Sequence, residues 1–147
     1  MICNACPRHC GAERSEYQPA GVCASPALPR IARAAPHYGE EPCISGERGS
    51  GTVFFSGCNL RCVFCQNHEI SRSKLGKTVS VERLADIFLE LQDKGVHNIN
   101  LVTPTHYTDA IVAALERATL RMEQPGLRQR RELKKARGPC ADIHARL

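Results

Sequence analysis

The feature that most constrains this chain is a triplet of cysteines directly after a short apolar run. Residues 52–55 are rich in β-branched and aromatic side chains and predict a buried strand. Cys58, Cys62 and Cys65 follow at C-x3-C-x2-C spacing. A closed structural zinc site takes four ligands, and a fully ligated cubane iron–sulfur cluster takes four cysteines. Three thiolates on one loop therefore predict a metal centre with one open coordination position. The alternatives are an incomplete zinc knuckle and a set of buried free thiols.

The loop that carries this triplet resembles a known family. The segment CNLRCVFC, from Cys58 to Cys65, is similar to the cluster loop of the radical S-adenosylmethionine (radical SAM) enzymes. The longer sequence segment from Glu41 to Tyr107 resembles a narrower branch of this family, the pyruvate formate-lyase activating enzyme-like proteins. The resemblance implies the N-terminal portion of such a protein.

The resemblance also implies a cofactor chemistry. Cys58, Cys62 and Cys65 would each hold one iron of a 4Fe–4S cluster, and S-adenosylmethionine would bind the fourth iron. An electron from the cluster would cleave S-adenosylmethionine to a 5′-deoxyadenosyl radical, which would take a hydrogen from the substrate. The partners implied are a reductant such as flavodoxin or ferredoxin and a glycyl-radical protein as the substrate.

Four residues outside the triplet are expected to contact the cluster or the cofactor. Phe64 would pack near the adenine or the cluster, and Asn67 would donate a hydrogen bond to either. Thr103 and Thr105 lie where many radical SAM enzymes carry a Gly-Gly-Glu-Pro segment, so their hydroxyls and backbone carbonyls would replace it. His106 follows as a candidate proton handler or hydrogen donor, and the alternative is a surface histidine at a helix start.

A second group of cysteines lies near the N-terminus. Four thiols allow a complete tetrahedral metal site, and the chain has nine cysteines in all, an odd number that favours metal binding over disulfides in a reducing compartment. The group predicts structural zinc or an auxiliary iron–sulfur cluster, and the alternative is unrelated reduced thiols. A non-catalytic zinc-binding module is accordingly the competing function. The residues of this group are Cys3, Cys6, Cys10 and Cys23.

The hydrophobic pattern predicts an α/β fold. Apolar residues at helical spacing predict a helix over residues 80–94, with Ser80 as its N-cap. Residues 98–103 predict a strand that completes a βαβ unit with parallel strands, and residues 107–119 predict a second helix. Residues 31–38 predict an edge strand. With the resemblance, these elements form the N-terminal part of a radical SAM partial (β/α) barrel that follows a Cys-rich knuckle.

The composition predicts a cytoplasmic protein that does not enter a membrane. Its 42% hydrophobic and 24% charged residues are typical of a globular domain. The sequence contains no apolar run of membrane-spanning length and no signal peptide pattern. Cys43 stands apart from both cysteine groups and predicts a small buried thiol.

The chain divides into three predicted parts. Residues 1–45 form the Cys-rich knuckle and an extended linker, residues 46–119 form the partial radical SAM domain, and residues 120–147 form a basic tail. The tail has eight Lys or Arg against three acidic residues, which equals the net charge of +5 of the whole chain. We interpret it as a disordered tail rather than a nucleic-acid-binding arm. Two βα units are fewer than the family barrel has, so we expect a truncated product. The sequence does not decide whether this product is an active enzyme.

Overall fold

The computed structural model describes residues 2–72 and 75–122 of the 147-residue chain. The basic tail, with its predicted disorder, lies almost entirely outside these residues. Within the described part, no helix is long and apolar enough to cross a membrane.

A small mixed sheet forms the centre of the described chain. Its strands are β1 (Arg30–His37), β2 (Ser50–Phe55), β3 (Lys77–Thr78) and β4 (Ile99–Val102), in the order β3-β1-β2-β4. β1 runs antiparallel to both β2 and β3, whereas β2 and β4 are parallel. The mixed α/β character predicted from the sequence is confirmed.

In the described part of the chain, four helices accompany this sheet. The short helices α1 (Pro42–Ser45) and α2 (His68–Arg72) flank β2 along the chain. The longer helices are α3 (Val81–Asp93) and α4 (Thr108–Met122), and a 3-10 turn at Thr105–Tyr107 leads into α4.

The unit β2-α3-β4 confirms the predicted βαβ arrangement. In the parallel pair, Val53 lies opposite Leu101, and Val53 is fully buried. α3 begins as predicted, because the Ser80 side chain accepts a hydrogen bond from the backbone N–H of Arg83. The helix ends at Asp93, one residue before its predicted end.

The hydrophobic core lies between the sheet and the two long helices. α3 contributes its whole apolar stripe, α4 contributes one face, and β2 contributes residues that alternate along the strand. The buried core residues are Ile31, Val53, Phe55, Leu84, Ala85, Ile87, Phe88, Leu91, Val96, Tyr107, Ile111, Ala114 and Ala118.

Two sequence-based expectations need correction. The strand predicted at the edge of the sheet is β1, but β3 pairs with Arg30 and Ile31, so only the rest of β1 lacks a partner on that side among the described residues. Cys43 is exposed rather than buried, because the four-residue helix α1 that carries it buries only Ser45.

Candidate metal centre

The cysteine triplet and the threonine segment lie at the same end of the sheet. The triplet follows the carboxyl end of β2, and Thr103 follows the carboxyl end of β4. Because these strands are neighbours and parallel, both segments leave the sheet at one edge. Ligands in open α/β sheets bind beyond this edge. The topology therefore places the predicted cluster loop and the predicted cofactor segment on the same side of the protein.

Helix α2 supports the cysteine loop through several hydrogen bonds. Ser71 directs its hydroxyl to Cys65 Sγ at 3.6 Å, and the Arg72 guanidinium donates to the Cys62 carbonyl oxygen at 2.7 Å. At the start of the loop, the Leu60 backbone N–H donates to Cys58 Sγ at 3.4 Å. Donors of this kind orient thiolate ligands and tune the potential of an iron–sulfur cluster.

The three thiols differ in their exposure to solvent. Cys58 is buried, Cys65 is half-buried and Cys62 is exposed. Across residues 2–72 and 75–122, no three His, Cys, Asp or Glu side chains are grouped closely enough to hold a metal ion. The donor set nevertheless fits an iron–sulfur cluster, because three thiols within eight residues share one loop and two of their sulfur atoms already accept hydrogen bonds.

The outer face of the loop is apolar. Phe64 is 87% exposed, and Leu60 and Val63 beside it are also largely exposed. Asn67 lies at the surface, where its backbone carbonyl accepts the N–H groups of the first turn of α2, including that of Ser71 at 2.9 Å. The cofactor contacts expected of Phe64 and Asn67 stay predictions.

The segment after β4 has an unusual backbone. Thr103 has a φ of +61°, in the left-handed region that β-branched residues rarely adopt. Strained residues of this kind cluster at functional sites. Thr105 is exposed, and its carbonyl accepts a hydrogen bond from the Thr108 hydroxyl at 2.9 Å at the start of α4. The cofactor contacts expected of both threonines stay predictions.

His106 is a buried residue that joins the two strand ends. Its side chain is 1% exposed, which rules out the alternative of a surface histidine. Its Nε2 lies 3.1 Å from the carbonyl oxygen of Ser56, so Nε2 carries the proton and donates. Burial lowers the pKa of His106 to about 4, because the charged form is costly in the interior. The ring is therefore neutral at physiological pH. Nδ1 is left as an acceptor without a hydrogen-bond partner among the described residues.

Arg14 is a buried residue that the sequence pattern does not predict. Its guanidinium donates to the carbonyl oxygens of Ser25 at 3.2 Å and His106 at 3.0 Å, and it lies 3.5 Å from Cys3 Sγ. It also stacks over the Tyr107 ring, 5.4 Å from the ring centre. Arginine is rarely buried, and the sequence gives no signal for this contact between residues far apart in the chain.

Two of the N-terminal cysteines, Cys6 and Cys23, lie in tight turns, and Cys10 directly follows the first turn. Of the four, Cys3 and Cys6 are half-buried, Cys10 is exposed and Cys23 is buried, and none forms a disulfide with another of the described cysteines. The backbone N–H groups of Val22 and Ala12 lower the pKa of Cys10 because they stabilise its thiolate. Like the triplet, these four thiols are not drawn together at one point.

The structure is that of an α/β protein with a candidate metal centre. The centre is the cysteine loop at the carboxyl end of the parallel strands β2 and β4. The family model described as "Radical SAM superfamily" matches residues 52–135, more than half of the chain. The chain therefore belongs to the radical SAM superfamily. Membership implies a 4Fe–4S cluster and S-adenosylmethionine as the cofactors of the family.

One curated relative shares a short segment with the chain. It is "Uncharacterized protein MJ0674" of Methanocaldococcus jannaschii, which is 49% identical over 43 residues. These residues are 29% of this chain and only 12% of the length of the relative. No solved structure matches the chain significantly.

Proposed function

We propose that this protein binds a 4Fe–4S cluster through Cys58, Cys62 and Cys65 and uses it to cleave S-adenosylmethionine reductively in the cytoplasm. The observation that carries the proposal is topological. The thiol triplet and the Thr103 segment leave the carboxyl ends of two adjacent parallel strands, so cluster and cofactor would share one edge of the sheet. The fold that this edge belongs to would be the first part of a partial (β/α) barrel.

The residues of the chain would hold and orient the bound groups. Cys58, Cys62 and Cys65 would each ligate one iron, which leaves one iron open for the amino and carboxylate groups of S-adenosylmethionine. When bound, the cluster would supply the electron that cleaves this cofactor to a 5′-deoxyadenosyl radical. Ser71 would donate to the Cys65 sulfur, and Arg72 would fix the backbone at Cys62.

The threonine segment would bind the cofactor. The hydroxyls and carbonyls of Thr103 and Thr105 would take the place of the Gly-Gly-Glu-Pro segment in contacting its amino group, and Phe64 would cover the adenine. Neutral His106 would hold the two strand ends at a fixed separation through its hydrogen bond to Ser56. Because His106 does not carry a charge at physiological pH, it would not repel the sulfonium group of the cofactor.

The substrate class follows from the narrower resemblance. The sequence from Glu41 to Tyr107 supports an activating-enzyme-like protein. It carries Val-Thr-Pro-Thr in place of Gly-Gly-Glu-Pro. Its substrate would be a glycyl-radical protein, and its electrons would come from a flavodoxin or ferredoxin. The exposed apolar face formed by Leu60, Val63 and Phe64 supports contact with a further protein surface at the loop.

A direct test is the formation of 5′-deoxyadenosine. The chain is reconstituted anaerobically with iron and sulfide, reduced with dithionite and incubated with S-adenosylmethionine, and the product is measured by mass spectrometry. We expect product from the parent and from Cys43→Ala, which removes an exposed thiol outside both groups, but none from Cys62→Ala. Equal product from the parent and Cys62→Ala would refute the proposal.

A second candidate function is a non-catalytic zinc-binding module. It is favoured by the backbone groups of Val22 and Ala12, which lower the pKa of Cys10 and so favour the thiolate, the form of cysteine that binds a metal. A colourless protein that contains zinc and does not take up iron and sulfide would support this candidate over the radical SAM reaction.

A further inference from the structure

The N-terminal cysteine segment packs directly on the loop that carries the triplet. The Arg8 guanidinium, between Cys6 and Cys10 in sequence, donates from Nε to the Asn59 carbonyl oxygen at 3.0 Å. Asn59 follows Cys58 and is buried. The two cysteine groups are therefore in contact through the residues between their thiols.

Gly57 lies close to the turn that carries Cys23. It precedes Cys58, has a φ of +81°, and a Cβ at this position would lie 2.6 Å from the Cys23 carbonyl oxygen. That Cβ would also overlap the Ser25 hydroxyl. The Ser25 hydroxyl lies 3.0 Å from the Cys23 carbonyl oxygen and 3.4 Å from the Ser56 carbonyl oxygen, and its single proton can be donated to either. The turn that carries Cys23 thus lies against the first residues of the cysteine loop.

Within the N-terminal segment, the two cysteine turns are held side by side. The first turn is closed by the His9 N–H, which donates to the Cys6 carbonyl at 3.2 Å. The second turn is closed by the Ala20–Ser25 bridge. A Cβ at Gly21 would lie only 3.1 Å from Cys10 Sγ, so the thiol of Cys10, which directly follows the first turn, lies close to the backbone of the second.

Cys3 is joined to the same arrangement. The Cys3 N–H donates to the Ala12 carbonyl at 2.9 Å, and Arg14 links Cys3 Sγ to the carbonyl of His106. Cys6 lies in the first turn, Cys23 lies in the second, and the Cys10 thiol lies close to Gly21 of the second. Packed turns that carry cysteines are a framework that closed thiolate metal sites use.

We propose that Cys3, Cys6, Cys10 and Cys23 form a closed metal centre whose occupancy holds the Cys58 loop in place. Four thiolates complete the coordination either of zinc or of an iron–sulfur cluster, so neither form leaves an open position for a substrate. The centre is structural: binding the metal fixes the two turns, and the turns fix the loop through Arg8, Gly57 and Ser25. The role of that loop in catalysis rests on the proposed function, whereas the metal centre does not.

The first test measures metal in a variant without the loop thiols. Cys58→Ser/Cys62→Ser/Cys65→Ser is purified anaerobically, and its zinc, iron and sulfide are measured. We expect about one metal centre per chain, its loss on adding Cys3→Ser/Cys10→Ser, and its retention on adding Cys43→Ser instead. Zinc alone identifies a zinc site, and iron with sulfide identifies a cluster. Equal metal content with and without Cys3→Ser/Cys10→Ser overturns the proposal.

The second test measures the link to the loop by hydrogen exchange. The same triple variant is compared after chelation and after saturation with Zn²⁺. We expect peptides that cover residues 56–62 to exchange at least about tenfold more slowly with metal bound, because opening the loop then costs metal binding energy. Arg8→Ala should reduce this protection. Unchanged exchange at residues 56–62 with zinc bound would overturn the link.

The two proposals fail separately under these tests. The triple variant cannot hold the catalytic cluster, so its zinc content and exchange rates do not depend on the radical SAM reaction. A negative result here leaves the 5′-deoxyadenosine assay untouched, and a negative result in that assay leaves the N-terminal metal centre untouched.

Discussion

Gly57→Ala tests the contact between the N-terminal segment and the cysteine loop. At φ +81°, an alanine is in the left-handed backbone region, which lowers the free energy of unfolding by about 1–2 kcal/mol. Its Cβ would also lie 2.6 Å from the Cys23 carbonyl oxygen. Overpacking of this kind adds about 1–3 kcal/mol. We therefore expect the free energy of unfolding to fall by about 2–5 kcal/mol in total.

Gly95→Ala is the matched control for this prediction. Gly95 has a nearly identical φ of +79°, but a Cβ there would meet nothing within 4 Å. It should cost only the backbone term of about 1–2 kcal/mol. Urea unfolding followed by circular dichroism gives both values, and equal m-values show that the same surface is exposed. If the two variants lose the same stability within about 0.5 kcal/mol, the packing of the Cys23 turn on the loop is refuted.

Three further predictions concern single residues. Ser80→Ala should lower the free energy of unfolding by about 1 kcal/mol, because α3 loses its N-cap, whereas Ser80→Asp keeps a capping oxygen and should match the parent in urea unfolding. His106→Gln should flatten the acid dependence of stability. The pKa of His106 is about 4 in the folded state against 6.5 when unfolded, so stability is full above pH 6.5 and falls as the pH drops to 4, by up to about 3 kcal/mol in the parent. A variant with the same acid slope as the parent would contradict the burial of a neutral imidazole beside Arg14. Thr103→Gly should keep or raise the free energy of unfolding, by up to about 1 kcal/mol, since glycine adopts a φ of +61° without steric cost. A loss above about 1 kcal/mol in urea unfolding would show that the threonine backbone is not strained.

The elements predicted correctly are those with a local signal. The stripe of Leu84, Ile87, Phe88 and Leu91 fixes α3 because its period matches a helix, and Ser80 marks its start. The parallel pairing of β2 and β4 then follows from chain connectivity, since a helix between two strands returns the chain in the same direction.

The contacts missed from the sequence join residues that are distant in the chain. Arg14 and His106 are 92 positions apart, and burial is not predicted from either residue type. The sequence left His106 open between a functional role and a surface role, and its burial in the structure excludes the surface role. The spacing of the cysteines predicts which thiols share a loop, but it does not fix where the sulfur atoms lie, because metal binding and thiolate geometry are coupled.

The most direct test of the central claim is the effect of S-adenosylmethionine on the cluster. The chain is reconstituted anaerobically with iron and sulfide and reduced, and its electron paramagnetic resonance spectrum is recorded with and without S-adenosylmethionine. The triple variant Cys58→Ala/Cys62→Ala/Cys65→Ala and the control Cys43→Ala are treated alike. An open iron predicts a 4Fe–4S signal that shifts with S-adenosylmethionine in the parent and the control. The same shift in the triple variant would contradict a cluster with an open iron at Cys58, Cys62 and Cys65. A parent signal that does not change with S-adenosylmethionine would contradict it as well.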